Sequence, residues 1–290
     1  MKPPPLVYHR PESLDEALDV LREHGDEAKP LAGGQSLVPL LNLRMARPAA
    51  LIDLNRLDGL DRIDEANGAI RAGAVVRQAA FEASPLVPPR LPLVSECLPF
   101  VGHVVTRNRG TVGGSIAHAD ASAELPLALV ALGGSVVAAS RQGRRTIHAD
   151  EFFVTHFTTA LRPDELLVET VWPAARPGTG YAFEELAQRA GDYALSMAAS
   201  VLEIEDGRVH DARVAVASVT ERPTVLAEAS ALLTGRAVDA EAARAAGSAA
   251  AVAIEPSGSL HASGDYLRHL TALLVERAVL RAWANAQEAK

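Results

Sequence analysis

Two glycine doublets constrain this chain more than any other feature. The first lies in residues 30–37, PLAGGQSL, and the second in residues 108–132, NRGTVGGSIAHADASAELPLALVAL. In each, a short apolar run meets two residues without Cβ and then a hydroxyl, Ser36 in one and Ser115 in the other. Such a backbone can turn tightly and let a ligand approach its N–H groups. Either doublet alone reads as an ordinary glycine turn. Two of one type, each beside an expected helix, suit one ligand gripped from both sides, as a dinucleotide is at its pyrophosphate. Neither matches G-x-G-x-x-G or G-x-x-x-x-G-K-[ST], which argues against a Rossmann domain and a Walker-type ATPase.

The patterning around the doublets divides the chain in three. In residues 1–56 an extended strand over residues 3–7 leads to a helix whose N-cap is Ser13, with Glu16 completing a capping box and Gly25 at its end. Leu14, Ala17, Leu18 and Leu21 share one face of that helix. Strands over residues 29–32 and 50–54 flank the first doublet and a short helix that starts at Ser36. This order predicts a small parallel α/β unit with the doublet at a strand's carboxyl end, where ligands bind in such sheets. Residues 57–176 read as a mainly antiparallel α+β unit. It has a hairpin across Asn67-Gly68, helices over residues 75–83, 91–98 and 122–132, and a hairpin across Gln142-Gly143. The second doublet is expected in a loop, Asp150 as the cap of a short helix, and residues 165–172 as a strand. After a linker at residues 175–180, residues 177–290 are expected to form three strands (181–188, 196–204, 213–219) and three helices (224–233, 239–252, 263–288). The Ala-rich faces of those helices suit a small bundle.

Composition narrows the function. Lys plus Arg total 28 against 36 Asp plus Glu, a net charge of −8 without a basic cluster, which makes nucleic acid and anionic membranes poor partners. Residues 1–18 hold no apolar leader core, and no run of about 18 apolar residues occurs, so a cytoplasmic protein without a membrane span is expected. Cys97 is the only cysteine, which excludes an internal disulfide and a four-cysteine iron–sulfur cluster within the chain. A small buried apolar role suits it.

As a pair, the doublets resemble those of the FAD-binding medium subunits of the molybdenum hydroxylases, the family of carbon monoxide dehydrogenase and xanthine dehydrogenase. The resemblance covers essentially the whole chain. It rests on PLAGGQSLVPLLNLRMARPAALIDLNRL at residues 30–57 and TRNRGTVGGSIAHADASAELPLALVAL at residues 106–132. RAGDYAL at residues 189–195 and GDYLRHLTALLVERAV at residues 264–279 support it. It implies an α+β, two-part FAD-binding fold of the vanillyl-alcohol-oxidase/p-cresol-methylhydroxylase type, with a C-terminal domain of three-stranded sheet and helix bundle. It also implies that Ala32, Gly33, Gly34, Gln35, Ser36 and Leu37, with Thr111, Val112, Gly113, Gly114 and Ser115, hold the FAD diphosphate. Asp120 and Glu124 match an acidic position on the adenosine side. Tyr193 matches an aromatic ring placed against the isoalloxazine, and Leu161 an apolar or main-chain contact. A basic residue is frequent in the family near Glu184; Glu stands here, leaving Arg189 and Arg107 as the nearest basic alternatives.

The residues also allow blander readings. Glu124 near a helix start is sufficiently explained by the macrodipole. His118 and Asp120 lack a third ligand for a metal and read as a solvent-facing pair. Tyr193 reads equally as a plain strand or loop aromatic. No nucleophile with its base is recognisable, which fits a subunit whose chemistry is the cofactor's. The resemblance implies an electron-transfer subunit of a heterotrimeric molybdopterin-dependent dehydrogenase. A large subunit oxidises substrate at molybdopterin, and a small subunit relays electrons through 2Fe-2S clusters. This chain passes them through FAD to an external acceptor, in a dimer of heterotrimers. A self-sufficient flavin oxidase of similar fold is a second hypothesis, and a non-catalytic nucleotide-binding module, colourless after exposure to FAD, is a third.

Overall fold

The computed structural model of the chain describes residues 2–288. Its first part alternates strand and helix: β1 (Val7–His9), α1 (Leu14–His24), β2 (Ala28–Leu31), α2 (Leu37–Asn42) and β3 (Ala50–Asp53). Ser13 caps α1 by accepting from the Glu16 N–H at 3.2 Å, and Gly25 ends it at φ 52°. The Glu16 carboxylate reaches back to the N–H of Glu12 at 2.8 Å rather than to that of Ser13, so the expected box is offset by one residue. The three strands pair parallel in the order β1-β3-β2. The central β3 buries Ala50 and Ile52, which share a core with Ala17, Leu18 and Leu21 of α1.

The middle of the chain forms β4 (Ile63–Ala66), β5 (Ala69–Gly73), α3 (Gln78–Ala83), α4 (Val87–Arg90) and α5 (Pro92–Cys97). It continues through α6 (Val104–Arg107), α7 (Val112–His118), α8 (Glu124–Ala131), β6 (Ser135–Ser140) and β7 (Gly143–His148). It ends with α9 (Ala149–Phe152), β8 (Phe153–Thr155), β9 (Thr158–Thr159) and β10 (Leu166–Pro173). Five strands make an antiparallel sheet in the order β4-β5-β10-β6-β7, and both expected hairpins are present. Alternation along β6 sends Val136 and Ala138 to the main core and Val137 and Ala139 to the N-terminal core, so the sheet is covered on both faces. Two local expectations are corrected. Gly113 and Gly114 do not form a loop but lie in the first turn of α7, where Thr111 is the N-cap. The cap position of α9 is His148; Asp150 sits in its first turn and pairs with Arg213 at 3.1 Å.

The last part comprises β11 (Thr179–Ala187), β12 (Ala194–Glu205), β13 (Arg208–Ala217), β14 (Thr224–Val225), α10 (Ala227–Ala231), α11 (Ala240–Val252) and α12 (Gly264–Glu288). The sheet runs β11-β12-β13-β14, all antiparallel. The fourth strand comes from a stretch expected to be helical: Thr224 and Val225, both β-branched, pair with Val216 and Ala215 instead. Along β12, Met197, Ala199 and Val201 face the main core while Ala198 and Leu202 face α10 to α12. Small residues let these layers approach closely. A Cβ on Gly180 would lie 1.8 Å from the Ala282 carbonyl oxygen, and one on Gly247 2.4 Å from that of Ala272. Helix α8 is buried along its whole length and packs on α5, α7, β12 and β13, which joins the middle of the chain to the C-terminal sheet. No described helix is long and apolar enough to cross a membrane.

Candidate functional site

The first doublet begins where β2 leaves its sheet. Gly34 takes φ 72°, a conformation open to glycine. The following bonds run from the Val38 N–H to the Gly34 carbonyl (3.0 Å) and from the Leu40 N–H to that of Ser36 (3.2 Å). Ser36 precedes α2 in helical conformation and its side chain makes no cap bond. Among the described residues, the N–H groups of Gly33, Gly34, Gln35, Ser36 and Leu37 find no protein acceptor. Successive unpaired N–H groups of this kind form a nest for an anion.

The second doublet is built differently. Thr111 Oγ1 accepts from the Gly114 N–H at 3.0 Å, and the Thr111 carbonyl from the Ser115 N–H at 3.0 Å. The Val112 N–H donates to the Val76 carbonyl at 2.9 Å. The protein itself takes up these donors and leaves the Thr111 and Gly113 N–H groups. One open cradle therefore faces a helix start that is largely satisfied. The missing Cβ atoms serve close packing. A Cβ on Gly33 would stand 2.5 Å from the Arg109 carbonyl oxygen and 2.8 Å from Gly110 Cα. On Gly113 it would meet Ala74 Cα at 2.5 Å, and on Gly114 Thr111 Oγ1 at 2.5 Å. A depression of about 320 Å³ lies where the segments meet, lined by Gly33, Gly34, Gln35, Val38, Pro39 and Arg109. A larger one, about 530 Å³ among Arg90, Glu96, Arg176 and Tyr181, touches neither segment.

Two residues that the sequence reading passed over connect the segments. Asn55 Nδ2 donates to the Ala32 carbonyl at 2.9 Å and to Asp53 Oδ1 at 2.6 Å. Its Oδ1 accepts from Arg77 Nη2 at 2.6 Å, and Arg77 Nη1 donates to the Arg109 carbonyl at 2.6 Å. Burial, and then the charge of Arg109, lower the pKa of the Arg77 guanidinium, with Asp53 opposing. Burial pushes Asp53 up, but hydrogen bonds from the Tyr8 hydroxyl and from Asn55 outweigh it, and its pKa is lowered. The available signal was positional: Asn55 stands two residues past β3, at the same sheet end as the first doublet.

Of the remaining candidates, Asp120, Glu124 and Tyr193 lie close enough for their charges to act on one another. Asp120 Oδ1 accepts the Ser122 N–H at 2.9 Å. His118 packs on Phe157, ring centroids 4.9 Å apart, and burial lowers its pKa. Glu124 is the first residue of α8, as the macrodipole argument requires, yet it is 7 % exposed. Burial wins: its pKa rises to about 7, with Asp120 adding to the rise, its own N–H and Arg107 opposing it. Tyr193, between β11 and β12, is 70 % exposed, and partial desolvation, then the charges of Asp120 and Glu124, raise its phenol pKa. Its loop packs on the second segment's approach, since a Cβ on Gly191 would meet the His103 ring at 2.4 Å. Leu161 is half-buried against the main core. Arg107 is not a free cation: it is buried, bound to Glu82 at 2.8 Å and to the Val101 carbonyl at 3.2 Å. Glu184 pairs with Arg281. Its neighbour Glu185 has a buried Oε2 without a partner, and burial, reinforced by Glu124, raises its pKa to about 8.

Fold and cradle define a class, a two-part α+β scaffold with a row of open N–H groups beside a second glycine segment, and with a C-terminal sheet and helices packed against it. Comparison with known proteins narrows it. The model of the FAD binding domain in molybdopterin dehydrogenase matches residues 4–175, and that of the CO dehydrogenase flavoprotein C-terminal domain matches residues 181–282. The chain is 40 % identical over 291 residues to the 6-hydroxypseudooxynicotine dehydrogenase complex subunit alpha of Paenarthrobacter nicotinovorans, covering 100 % of this chain and 98 % of that one. It is 38 % identical to the carbon monoxide dehydrogenase medium chain of Hydrogenophaga pseudoflava, covering 98 % and 99 %. A solved structure, quinoline 2-oxidoreductase from Pseudomonas putida 86, superposes with a TM-score of 0.93 at 38 % identity, over 100 % of this chain and 99 % of that one. The chain belongs to the FAD-binding medium subunits of the molybdenum hydroxylase family.

Proposed function

We propose that this chain is the electron-transfer subunit of a heterotrimeric, molybdopterin-dependent dehydrogenase of the cytoplasm. Its partners on this reading are a small subunit with 2Fe-2S clusters and a large molybdopterin subunit, assembled as a dimer of heterotrimers. The printed names of the relatives, a complex subunit and a medium chain, support a multi-subunit setting. The division into residues 1–56, 57–176 and 177–290 goes with this reading.

The observation that carries the site is the row of free N–H groups from Gly33 to Leu37 beside Arg109. These groups fit a diphosphate: they are donors only, they are consecutive, and the missing Cβ at Gly33 lets their turn pack directly on Arg109 and Gly110 of the second segment. Ala32 to Leu37 would take most of the anion. Thr111 and Gly113 would add main-chain N–H groups, and Ser115 its hydroxyl. Val112 is fully buried and its N–H is spent on Val76, so it would support the turn rather than bind the anion. Tyr193 offers an exposed ring for a flat ligand, with Asp120, Glu124 and Leu161 as the further contacts. FAD, when bound, supplies the exchange of electrons singly or in pairs.

The test is a visible absorption spectrum of the purified chain after incubation with FAD and removal of the excess, with the released cofactor identified. Retained, non-covalent FAD is expected. Gly33→Val drives a side chain against the Arg109 carbonyl and should weaken FAD by about tenfold or more, on the order of 1.4 kcal/mol. A wild-type chain that stays colourless both alone and when co-expressed with its partner subunits would overturn the reading.

A further inference from the structure

The first glycine segment leaves the parallel sheet after β2 and the second starts α7, and they meet where Gly33 packs on Arg109 and Gly110 and where Ala32 lies beside Gly114. Arg77 adds a side-chain link. Its main chain is fastened to the second segment, because the Gln78 N–H donates to the Gly110 carbonyl at 2.9 Å and the Val112 N–H to that of Val76 at 2.9 Å. Its side chain holds that segment again at Arg109 and continues to Asn55. One guanidinium nitrogen holds the Arg109 carbonyl and the other holds Asn55 Oδ1, each at 2.6 Å. Asn55 is saturated in turn, its Nδ2 on the Ala32 carbonyl and Asp53, its N–H on Asp53 Oδ1 at 2.9 Å. The planar fork reaches the two acceptors from two separate nitrogens, a span that the single ammonium nitrogen of a lysine lacks.

We infer that Arg77 and Asn55 act as one strut, a pair of positioning residues that sets the gap between the open donor row and the start of α7 for the diphosphate of FAD. The inference rests on the proposed FAD site and adds what holds it in register. Arg77 also brings a second positive charge near that of Arg109, which an anion in the gap would offset. Neither residue is required to touch the cofactor. Both act through Ala32 and Arg109.

The test is a double-mutant cycle on FAD affinity, read by flavin fluorescence on the full chain. Arg77→Gln and Asn55→Ala should each weaken binding about tenfold, and the double variant should be no weaker than the worse single one, because a strut cut twice is lost once. Arg109→Gln keeps the Arg109 carbonyl and with it the strut, so it should weaken binding through its charge while leaving the Arg77–Asn55 coupling in place. Arg77→Lys keeps the charge but has one donor nitrogen in place of two separated ones, so it should recover part of the loss; should Arg77→Gln not fold, Arg77→Lys replaces it in the cycle. Multiplying effects of Arg77→Gln and Asn55→Ala, or affinities unchanged in both, would sink the strut. Hydrogen exchange on the flavin-free chain separates this from a failure of the FAD reading. Arg77→Gln should speed exchange at the Leu54 N–H, bonded to Leu31, and at the Gln78 N–H, bonded to Gly110, while α12 is unchanged. Unchanged exchange at both would overturn the strut whether or not FAD binds.

Discussion

Glu124 and Glu185 show what burial does to single residues. Both carboxyls carry raised pKa values, about 7 and about 8, and each has burial as its leading cause. The sign of the linkage follows. Above the unfolded value of about 4.3, the unfolded chain has released protons that the folded chain still holds, so stability falls as pH rises towards 8 and levels off beyond. Glu185→Gln removes one such proton, and with it the unpartnered anionic oxygen. Thermal melts of this variant should match wild type near pH 5 and exceed it near pH 9; equal melting at both ends would show that Glu185 does not titrate late. Asp53 and Glu165 work in the opposite direction. Hydrogen bonds lower the first, and the Arg145 hydrogen bond leads in lowering the second, so both withdraw stability as the solution becomes acid.

At the scale of elements, α7 and α8 differ in what they ask of their residues. Helix α7 begins with three donors satisfied by Thr111 and Val76, and Thr111→Ala strands the Gly114 N–H. That cap is worth about 1 kcal/mol, measurable as a shift in the urea midpoint with unchanged slope. Helix α8 has no side-chain cap, and every residue from Glu124 to Ala131 is buried. Packing decides its stability. Leu129→Ala, in the core and against Gly134, should cost about 2–5 kcal/mol, several times the cap, and the same urea titration ranks the two. A larger loss from Thr111→Ala would mean that the α7 start carries more of the fold than its one side-chain bond suggests.

The whole molecule is tied across its parts by α8 and by Arg281. From α12, Arg281 donates to the Phe183 carbonyl at 2.9 Å and to Glu96 of α5 at 3.0 Å, so the last helix also grips the middle of the chain. Shared cores of this kind unfold together. Calorimetry of the isolated chain should give one transition. Gly180→Val, whose side chain cannot fit against Ala282, should lower that single transition for the entire chain. A separate early peak from the C-terminal part would contradict this coupling.

Local chemistry was legible in the amino-acid sequence wherever partners are neighbours in the chain. Ser13 and Gly25 mark the ends of α1, Asn67-Gly68 marks one hairpin and Gln142-Gly143 a second whose turn falls one residue earlier, at Arg141-Gln142, and the strand–helix order of the first part predicts its parallel sheet. The doublet motifs, with their surrounding residues, sufficed for the family. Tertiary structure decided everything that depends on distant partners. It closed most of the second doublet's donors with Thr111 and Val76, and it placed Asn55 and Arg77 between the two segments. It turned Glu124 from a helix-start anion into a buried acid, and drew Thr224 and Val225 into a strand edge. A sequence shows which donors, charges and β-branched residues are available. Which acceptor, which dielectric and which neighbouring strand each one meets is set by residues tens of positions away, and those meetings exist only once the chain is packed.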